Sequence, residues 1–216
     1  MERTRTTAGR APASGVAAPK TPGRAPATDA EVRTLLLDAA EELFYAHGVQ
    51  AVGMDRIRER SQVPLKRLYR VFPAKEALVA AYLERRDDRW IGELTTRAAG
   101  GATPRERVLA VFDWLADWFG EPGFRGCAFL NAFGELGEAA EPVAAVVRAH
   151  KARLRALLAG LARDATASPA AAATLTDQLL LLVEGATTLA ALTPSPTPAH
   201  QARTMAETLL DGAATS

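Results

Sequence analysis

The sequence predicts an all-α fold in which three short N-terminal helices are joined to a larger helical C-terminal domain. Ala and Leu dominate its 216 residues and runs of β-branched residues are scarce, a composition that favours helices over strands. Apolar residues recur at three- and four-residue spacing, and the alternating pattern of strands is absent. With 48% hydrophobic and 24% charged residues, the chain has the balance of an ordinary globular protein.

The charge is unevenly distributed, although the net charge is only +1. Residues 1–28 are rich in Ala, Pro, Gly, Thr and Arg without periodicity, and we interpret them as a disordered basic arm. Residues 53–75 hold seven basic and two acidic side chains. A basic stretch confined to one short segment of a near-neutral protein indicates an anionic partner.

The first predicted helix begins near Thr28 or Asp29, either of which can cap it, and Glu31 follows at capping distance. It ends at His47-Gly48. Its apolar side consists of Leu36, Ala39, Ala40, Leu43 and Phe44.

Two shorter helices follow. The second helix is predicted over roughly Gly53 to Arg60, and Ser61-Gln62-Val63 is a brief connection. The third helix starts at Pro64, because proline suits the first helical position, and ends at Phe72-Pro73, because the residue before proline avoids helical angles.

The spacing of the third helix predicts two different sides. Leu65, Leu68 and Phe72 are expected to face inward, against Phe44 and Ile57 of the first two helices. The basic side chains lie opposite, with Tyr69 between the two sides: Lys66, Arg67 and Arg70.

The remaining chain predicts six more helices. A long one begins at Ala74 and runs to about Thr96. The other five span Pro104 to Phe119, Cys127 to Gly137, Pro142 to Arg163, Pro169 to Leu192 and Ala199 to Asp211. We divide the chain into the arm (1–28), an N-terminal domain of three helices (29–88) and a larger helical C-terminal domain (89–216).

Two short helices joined by three or four residues, the second with cations outward, form a helix-turn-helix. The outer side of the second helix is then free to enter the DNA major groove, which is about 12 Å wide and admits one helix. The predicted DNA-binding residues are Pro64, Leu65, Lys66, Arg67, Tyr69, Arg70 and Lys75. The arginines of the arm are expected to form a solubilising tail, with entry into a minor groove as the alternative.

The stretch from Leu35 to Tyr82 resembles the DNA-binding domain of the TetR family. The matching pieces are A-x-x-L-F ending at Phe44, then Gly48 and Ile57, and above all L-Y-x-x-F-P-x-K-E-x-L from Leu68 to Leu78. The segment GCAFLNAFGE (126–135) is similar to a sequence in the ligand-binding halves of some members. The resemblance covers the first third of the chain strongly and the remainder weakly.

The resemblance implies an all-helical homodimer whose last two helices form a four-helix interface, with an inducer cavity between the domains. It also implies that Tyr69 and Lys75 contact phosphates and that Pro64 to Arg70 is the recognition helix.

Three features depart from the usual family pattern. Gln62 stands where the turn usually has glycine, so it must tolerate that backbone shape. Arg58 occupies a position that is usually small. Val52 and Gly53 replace the usual hydroxyl residues before the second helix, so a phosphate-contacting cap is missing.

Polar side chains on otherwise apolar helices indicate a ligand site, because burying them requires partners. Most aromatic residues of the C-terminal half are expected in the core, and the polar candidates have helix caps or interhelix hydrogen bonds as their alternative role. The predicted ligand-binding residues are Trp114, Trp118, Asn131, Gln178, Glu184 and Thr188.

The segment from Leu175 to Leu192 is apolar nearly all round, as expected of a helix between two subunits. We therefore predict a homodimer through helices 169–192 and 199–211. Two-fold pairing would place two recognition helices about 34 Å apart on one face of DNA.

The sequence offers little for enzyme chemistry. His47 lies at a helix end, His150 is expected on a helix surface and His200 before the final helix, and none has an evident catalytic or metal-binding partner. We therefore predict no enzyme, no cofactor and no metal site. No membrane segment is expected, since the longest uninterrupted aliphatic run is Leu179 to Val183.

The single cysteine, Cys127, cannot form an internal disulfide, and we expect a cytoplasmic protein. The predicted function is a DNA-binding regulator, a repressor released from operator DNA by a small, largely apolar effector. One alternative is a redox-sensing regulator gated by Cys127, which lies near a helix N-terminus and Arg125. Another is a helical enzyme that uses the C-terminal cavity.

Overall fold

The computed structural model describes residues 28–213, so the predicted arm, except Thr28, lies outside the described residues. This range is all-α, as predicted, and contains no strand. Its helices are α1 (Asp29–His47), α2 (Met54–Ser61), α3 (Leu65–Val71), α4 (Lys75–Ala99), α5 (Pro104–Phe119), α6 (Ala128–Leu136), α7 (Glu141–Ala165), α8 (Pro169–Leu192) and α9 (Thr197–Ala213).

Local capping explains where several helices begin. The Thr28 hydroxyl accepts a hydrogen bond from the Glu31 amide at 3.2 Å, and the Glu31 carboxylate accepts one from the Thr28 amide at 2.7 Å. The same reciprocal arrangement links Thr103 and Glu106 at the start of α5. These bonds satisfy amides that a helix N-terminus otherwise leaves unpaired.

The helix α4 contributes residues to two hydrophobic cores. The N-terminal core packs α1, α2 and α3 against α4 as far as Leu83, and it also takes in residues of α6 and the start of α7, such as Phe129 and Val147. The second core begins at Trp90 and joins α4, α5, α7, α8 and α9. The predicted boundary at residue 88 falls between these two cores on α4 and stays a prediction.

Several helix ends differ from the prediction by a few residues. Pro64 precedes α3 as its N-cap, with an extended ψ of 139°, instead of being its first helical residue. The long helix α4 continues to Ala99, and α9 begins at Thr197. His200 lies inside α9, as the predicted helix from Ala199 to Asp211 implies, and its expected position before the last helix is wrong.

Two expected side-chain environments are also wrong. Leu65 is 39% exposed, whereas Leu68 and Phe72 are buried as predicted. Leu65 is the first residue of a seven-residue helix, and the inward stripe begins one turn later. His150, expected at a helix surface, is 2% exposed.

The helix α8 is long and apolar enough, by length and composition, to cross a membrane, with a mean hydropathy of 1.3 over its most apolar window. Of that window, 39% is buried within the fold, against α7 and α9. A core helix with one apolar side left uncovered can have the same length and mean hydropathy as a membrane-spanning helix.

Candidate nucleic-acid interface and adjoining cavities

The outer side of α3 is polar, basic and accessible. Leu68 is the only fully buried residue of this helix, and with Phe72 it holds α3 on the N-terminal core. Tyr69 is 44% exposed and Lys66 is also exposed, while the Arg70 side chain is 60% exposed. Leu65 joins this exposed side. A helix held by one side in this way presents its other side to a groove.

Asp29, the first residue of α1, pairs with both arginines of α3. Its Oδ1 accepts a hydrogen bond from Arg70 at 2.6 Å and a longer one from Arg67 at 3.5 Å. The Arg67 side chain is 24% exposed, less than Arg70. The carboxylate therefore occupies part of the cationic surface that DNA phosphates or bases would otherwise contact.

The turn between α2 and α3 has the backbone shape anticipated from the sequence. Gln62 adopts φ 57° and ψ 20° and is the only non-glycine residue with positive φ in the range 28–213. Its side-chain amide donates to the Glu59 carbonyl at 2.5 Å. Gly53 caps α2 without a side-chain hydrogen bond.

The start of α4 lies next to α3. Ala74 caps α4 without a side-chain hydrogen bond, and the half-buried Lys75 is the first helical residue. Unpaired amides, the positive end of the helix dipole and an ammonium group together suit a phosphate.

Salt bridges tie α4 to α1. Arg85 donates to Asp38 at 2.7 Å, and Arg89 donates to Glu41 Oε1 at 2.8 Å. Arg86 donates to the same Glu41 oxygen, and its guanidinium lies 3.9 Å from the centroid of the Tyr45 ring. A displacement of the middle of α4 would therefore act on α1 directly.

Tyr45 links α1 to the loop between α5 and α6. Its hydroxyl accepts a hydrogen bond from the Arg125 amide at 2.9 Å and donates one to the Gly126 carbonyl at 3.1 Å. Burial raises the pKa of the Tyr45 phenol above its ordinary value, so the hydroxyl keeps its proton for the second bond. Cys127 follows this loop directly, as the N-cap of α6.

A cavity of about 330 Å³ opens where α1, α4, α5 and the α5–α6 loop meet. We call it the junction cavity. It falls within the size range of small-molecule sites. Its walls are Glu41, Tyr45, Arg86, Arg89, Trp90, Glu93, Trp114, Trp118 and residues 121–124.

A second space, the inner cavity, lies deeper between α4, α6, α7 and α8. Its volume is about 20 Å³, enough for about one water molecule. Lys151 lies in its wall, where the ammonium group donates to Glu184 at 2.6 Å and lies 3.6 Å from the Cys127 sulfur. This space is too small for an organic effector without movement of its walls.

His150 lies beside the inner cavity and was not recognised as paired from the sequence. Its Nδ1 shares a 2.7 Å hydrogen bond with Asp87, and its ring stacks on Phe129 with centroids 3.6 Å apart. Burial lowers the pKa of His150, although the hydrogen bond with Asp87 opposes that shift. Asp87 lies 63 residues away in the chain, so no sequence spacing could have identified this pair.

The structure separates the predicted ligand-binding residues into different places. Trp114 and Trp118 line the junction cavity, and Trp118 and Glu184 line the inner cavity. Asn131 is exposed on α6, where its amide donates to the Arg125 carbonyl at 2.9 Å.

The two remaining candidates lie away from both cavities. Gln178 borders a groove between the start of α8 and the end of α9. Thr188 is exposed, and its hydroxyl donates to the Glu184 carbonyl of its own helix at 2.9 Å.

One side of α8 is apolar and is not covered by the other residues of the range 28–213. Leu181 and Leu192 are 73% and 76% exposed, and Leu189 is 55% exposed. Gly185 lies between them on the same side of the helix, with open space at its Cα. Met205 of the neighbouring α9 is 59% exposed.

Within residues 28–213, no group of three or more His, Cys, Asp and Glu side chains is arranged to hold a metal ion.

Comparison with known proteins places both halves of the chain. Residues 36–82 match the family model described as bacterial regulatory proteins, tetR family, and residues 104–206 match the tetracyclin repressor-like C-terminal domain. The crystal structure of SCO4454, a TetR-family transcriptional regulator from Streptomyces coelicolor, is 32% identical. The match covers 85% of this chain and 96% of that one, with a TM-score of 0.78.

Curated relatives match over shorter stretches. The repressor NemR of Escherichia coli is 28% identical over 116 residues, which cover 53% of this chain and 58% of NemR. The repressor KstR of Mycolicibacterium smegmatis is 35% identical over 78 residues, which cover 36% of this chain and 38% of KstR. The match thus spans from about two fifths to three fifths of the length of these two relatives.

The first family model covers most of α1, all of α2 and α3 and the start of α4, and the second extends from α5 into α9. The match to the Streptomyces coelicolor regulator covers 85% of the chain. Regulators of this family bind operator DNA, dimerise and respond to small molecules, which agrees with the exposed basic side of α3 and the uncovered side of α8. The chain belongs to the TetR family of DNA-binding transcriptional regulators.

Proposed function

We propose that the chain is a cytoplasmic, dimeric repressor that leaves its operator when a small molecule binds beside α4. The observation that carries the proposal is the exposed basic side of α3, held on the core by Leu68 and Phe72. The proposed DNA-binding residues are Pro64, Leu65, Lys66, Arg67, Tyr69, Arg70 and Lys75. Of these, Lys66, Tyr69 and Arg70 are polar residues that are exposed on the outer side of the helix.

These residues would divide their work between bases and phosphates. Arg67 and Arg70 have the planar fork that pairs with guanine in the major groove. Tyr69 and Lys75 would contact phosphates, Lys75 together with the free amides at the start of α4. Base contacts select a sequence, whereas phosphate contacts fix the register and strengthen binding to any sequence.

Release would act through α4. This helix begins beside α3 and passes the junction cavity, where Arg86, Arg89 and Trp90 lie in the wall. A ligand in that cavity would contact α4 and also Glu41 and Tyr45 of α1. Ligand binding lowers the operator affinity if the ligand prefers a dimer arrangement in which the distance between the two recognition helices no longer matches the spacing of the major grooves. The coupling free energy between two such sites is typically about 1–3 kcal/mol.

The dimer would form through helices 169–192 and 199–211. The uncovered leucines of α8 and Met205 of α9 support this interface, because monomers rarely expose such a contiguous apolar surface. A dimer also supplies a second recognition helix, which a single short helix needs for useful affinity.

The test measures binding of the purified protein to DNA fragments from the region upstream of its own gene. Fluorescence anisotropy at several salt concentrations gives the affinity and its salt dependence. We expect Arg70→Ala to weaken binding to the selected site by about 1–3 kcal/mol and to relax its sequence preference. Lys75→Ala should weaken binding to all DNA sequences alike. It should also lower the slope of log affinity against log salt concentration by about 1. Arg163→Ala, which removes an exposed cation at the end of α7, is the matched control.

A protein that binds no upstream fragment at low salt, with or without candidate effectors, would refute the proposal. A salt slope that is unchanged in Lys75→Ala would refute the phosphate contact alone. A reporter gene behind the bound fragment decides the sign of regulation, and we expect its expression to rise when the regulator is deleted.

A second candidate function is a redox-sensing regulator gated by Cys127. The favouring observation is that the Lys151 ammonium donates a hydrogen bond to the Cys127 sulfur at 3.6 Å, in the wall of the inner cavity. The test is operator binding after peroxide treatment. A Cys127→Ser variant that responds like the unchanged protein removes this alternative, whereas loss of a peroxide response in that variant alone supports it.

A further inference from the structure

The junction cavity has an aromatic wall built from three tryptophans. The rings of Trp114 and Trp118 stack with centroids 5.5 Å apart and an interplanar angle of 28°. Trp90 meets Trp114 edge-on at 5.0 Å and Trp118 at 5.8 Å. Trp114 and Trp118 are only partly buried, so part of each ring remains accessible. Tryptophan faces carry negative electrostatic potential and attract cations more strongly than other aromatic rings do.

The charged groups of the junction cavity leave an excess of negative charge. Three carboxylates, Glu41, Glu93 and Glu121, line it together with two guanidinium groups, Arg86 and Arg89. Both arginines donate to Glu41, which offsets one of their two positive charges, and the two remaining carboxylates make the wall negative by one charge in total. Within the described residues, neither Glu93 nor Glu121 forms a salt bridge. The wall therefore favours a cation over an anion.

Glu41 also has an unused acceptor. Its Oε2 atom is buried and has no hydrogen-bond partner among the described residues, whereas Oε1 accepts from both arginines. A buried carboxylate oxygen without a partner is costly. A ligand that carries an N–H group would remove that cost when it binds.

We propose that the junction cavity binds a flat aromatic cation that carries at least one N–H donor. The aromatic body stacks on the accessible tryptophan rings, the positive charge faces Glu93 and Glu121, and the N–H group donates to Glu41. This inference rests on the proposed function, because it names the chemical class of the effector. It refines the sequence-based expectation of a largely apolar effector by adding one positive charge.

The other classes of aromatic ligand fit the wall less well. An aromatic carboxylate would have to bind Arg86 or Arg89 in competition with Glu41, to which both arginines already donate, and beside the two carboxylates of Glu93 and Glu121. A neutral aromatic ring gains the stacking but neither the charge contacts nor the hydrogen bond. The order of affinity among ligands of one shape therefore distinguishes the three classes.

The experiment is isothermal titration calorimetry of the full chain, without DNA, with three tricyclic probes. These are 9-aminoacridine, which is a cation with N–H donors at neutral pH, neutral acridine and the anion 9-anthracenecarboxylate. We expect saturable binding of 9-aminoacridine, at least tenfold tighter than either of the other two. Equal or tighter binding of acridine or of the carboxylate overturns the proposal, and so does the absence of saturable 9-aminoacridine binding.

A charge variant tests the location. The double substitution Glu93→Gln with Glu121→Gln affects exposed side chains and keeps their size, so it should fold. We expect it to weaken 9-aminoacridine binding by about three- to tenfold, as the loss of two partly exposed charge contacts does. Glu138→Gln, an exposed acid between α6 and α7, is the matched control and should have no effect. Unchanged affinity in the double variant overturns the assignment to this cavity.

The result is separable from the test of the proposed function. Because the titration contains no DNA, failure of 9-aminoacridine to bind leaves operator binding by α3 untouched. Conversely, a chain that binds the probe but no DNA fragment would support the ligand class and refute the repressor.

Discussion

The carboxylate of Asp29 competes with DNA for the arginines of α3. It accepts hydrogen bonds from Arg70 and Arg67 on the side of α3 that we assign to the major groove. We expect Asp29→Asn to tighten operator binding by about 0.2–1 kcal/mol, the scale of an exposed ion pair, because the arginines no longer leave a partner when they contact DNA. Anisotropy titrations at fixed salt measure this change.

Asp211→Asn is a suitable control for this experiment. Asp211 is also an exposed acid paired with an arginine, Arg105, but it lies on α9, far from α3 in the chain and in the fold. If Asp29→Asn instead weakens operator binding and Asp211→Asn does not, the carboxylate positions the arginines for base contact and does not compete.

The buried imidazole of His150 should make the stability of the protein depend on pH. Burial lowers its pKa in the folded state, so below about pH 6.5 the unfolded chain takes up a proton that the folded chain does not. The free energy of unfolding should therefore fall as the pH drops from 7.5 to 5.5 and recover as it rises. Urea unfolding at several pH values in this window measures the slope.

Replacing this imidazole should flatten the slope, whatever it does to stability at neutral pH. His150→Gln keeps a polar group beside Asp87 but cannot titrate in this window. Lys151 and Glu184, which also act on the pKa of His150, are left unchanged in this variant. His200→Gln changes an exposed histidine in the same way and serves as the control. Equal slopes in the two variants would contradict the assignment.

Single-residue environments were the part of the structure that the sequence predicted least well. Helical spacing identified Leu68 and Phe72 as buried but wrongly included Leu65, because spacing alone does not show at which turn a seven-residue helix meets the core. His150 was misplaced because its burial depends on Asp87 and Phe129, which belong to other helices. Such contacts leave no local pattern.

Helices as elements were far more predictable, because their ends depend on neighbours in sequence. Thr28 with Glu31 and Pro169 after Ser168 identify helix starts through bonds that span three or four residues. The error at α9 has the same origin. Its start follows Ser195-Pro196, where the Ser195 hydroxyl accepts from the Thr197 amide, and this cap was overlooked in a proline-rich segment.

The turn of the helix-turn-helix gives a prediction at the scale of an element. Gln62 holds a left-handed backbone conformation that costs L-residues about 1–2 kcal/mol and glycine little. We expect Gln62→Gly to be more stable than Gln62→Ala by about 1 kcal/mol. Both variants lose the bond to the Glu59 carbonyl, so that contact cancels in the comparison. Urea unfolding of the two variants gives the difference.

The same two substitutions at Glu59, within α2, should show the opposite order of stability: Glu59→Gly should be less stable than Glu59→Ala. Glu59 lies inside the helix with ordinary helical geometry, where glycine is less stable than alanine by about 0.5–1 kcal/mol. If Gln62→Gly is no more stable than Gln62→Ala, the turn relaxes to another conformation when its residue changes.

At the scale of the whole molecule, the sequence predicted the all-α fold and the exposed basic side of α3 but not the cavity. The motif around α3 is contiguous, so its residues could be read together. The wall of the junction cavity comes from α1, α4, α5 and the α5–α6 loop, and its carboxylates meet only when the two domains pack. Trp114 and Trp118, which line the cavity, are among the predicted ligand-binding residues, whereas Glu41 and Glu93 carry no local signal in the sequence.

The proposed dimer can be tested at the side of α8 that the other described residues leave uncovered. Leu181 and Leu192 are among the most exposed large apolar residues of the described range, and Gly185 between them lets a second helix approach closely.

Burying each leucine in a dimer would contribute about 1.5–3 kcal/mol, and a glutamate there would bring an unpaired charge into the interface. We expect Leu181→Glu with Leu192→Glu to give a monomer of 22.9 kDa in sedimentation equilibrium, at concentrations where the unchanged protein has twice that mass. Operator binding should weaken in parallel, because one recognition helix is lost from each complex. Leu130→Glu alters a leucine of α6 that is 42% exposed and should leave the mass unchanged. If the double variant stays at twice the monomer mass, the subunits meet elsewhere and the uncovered side of α8 is not the interface.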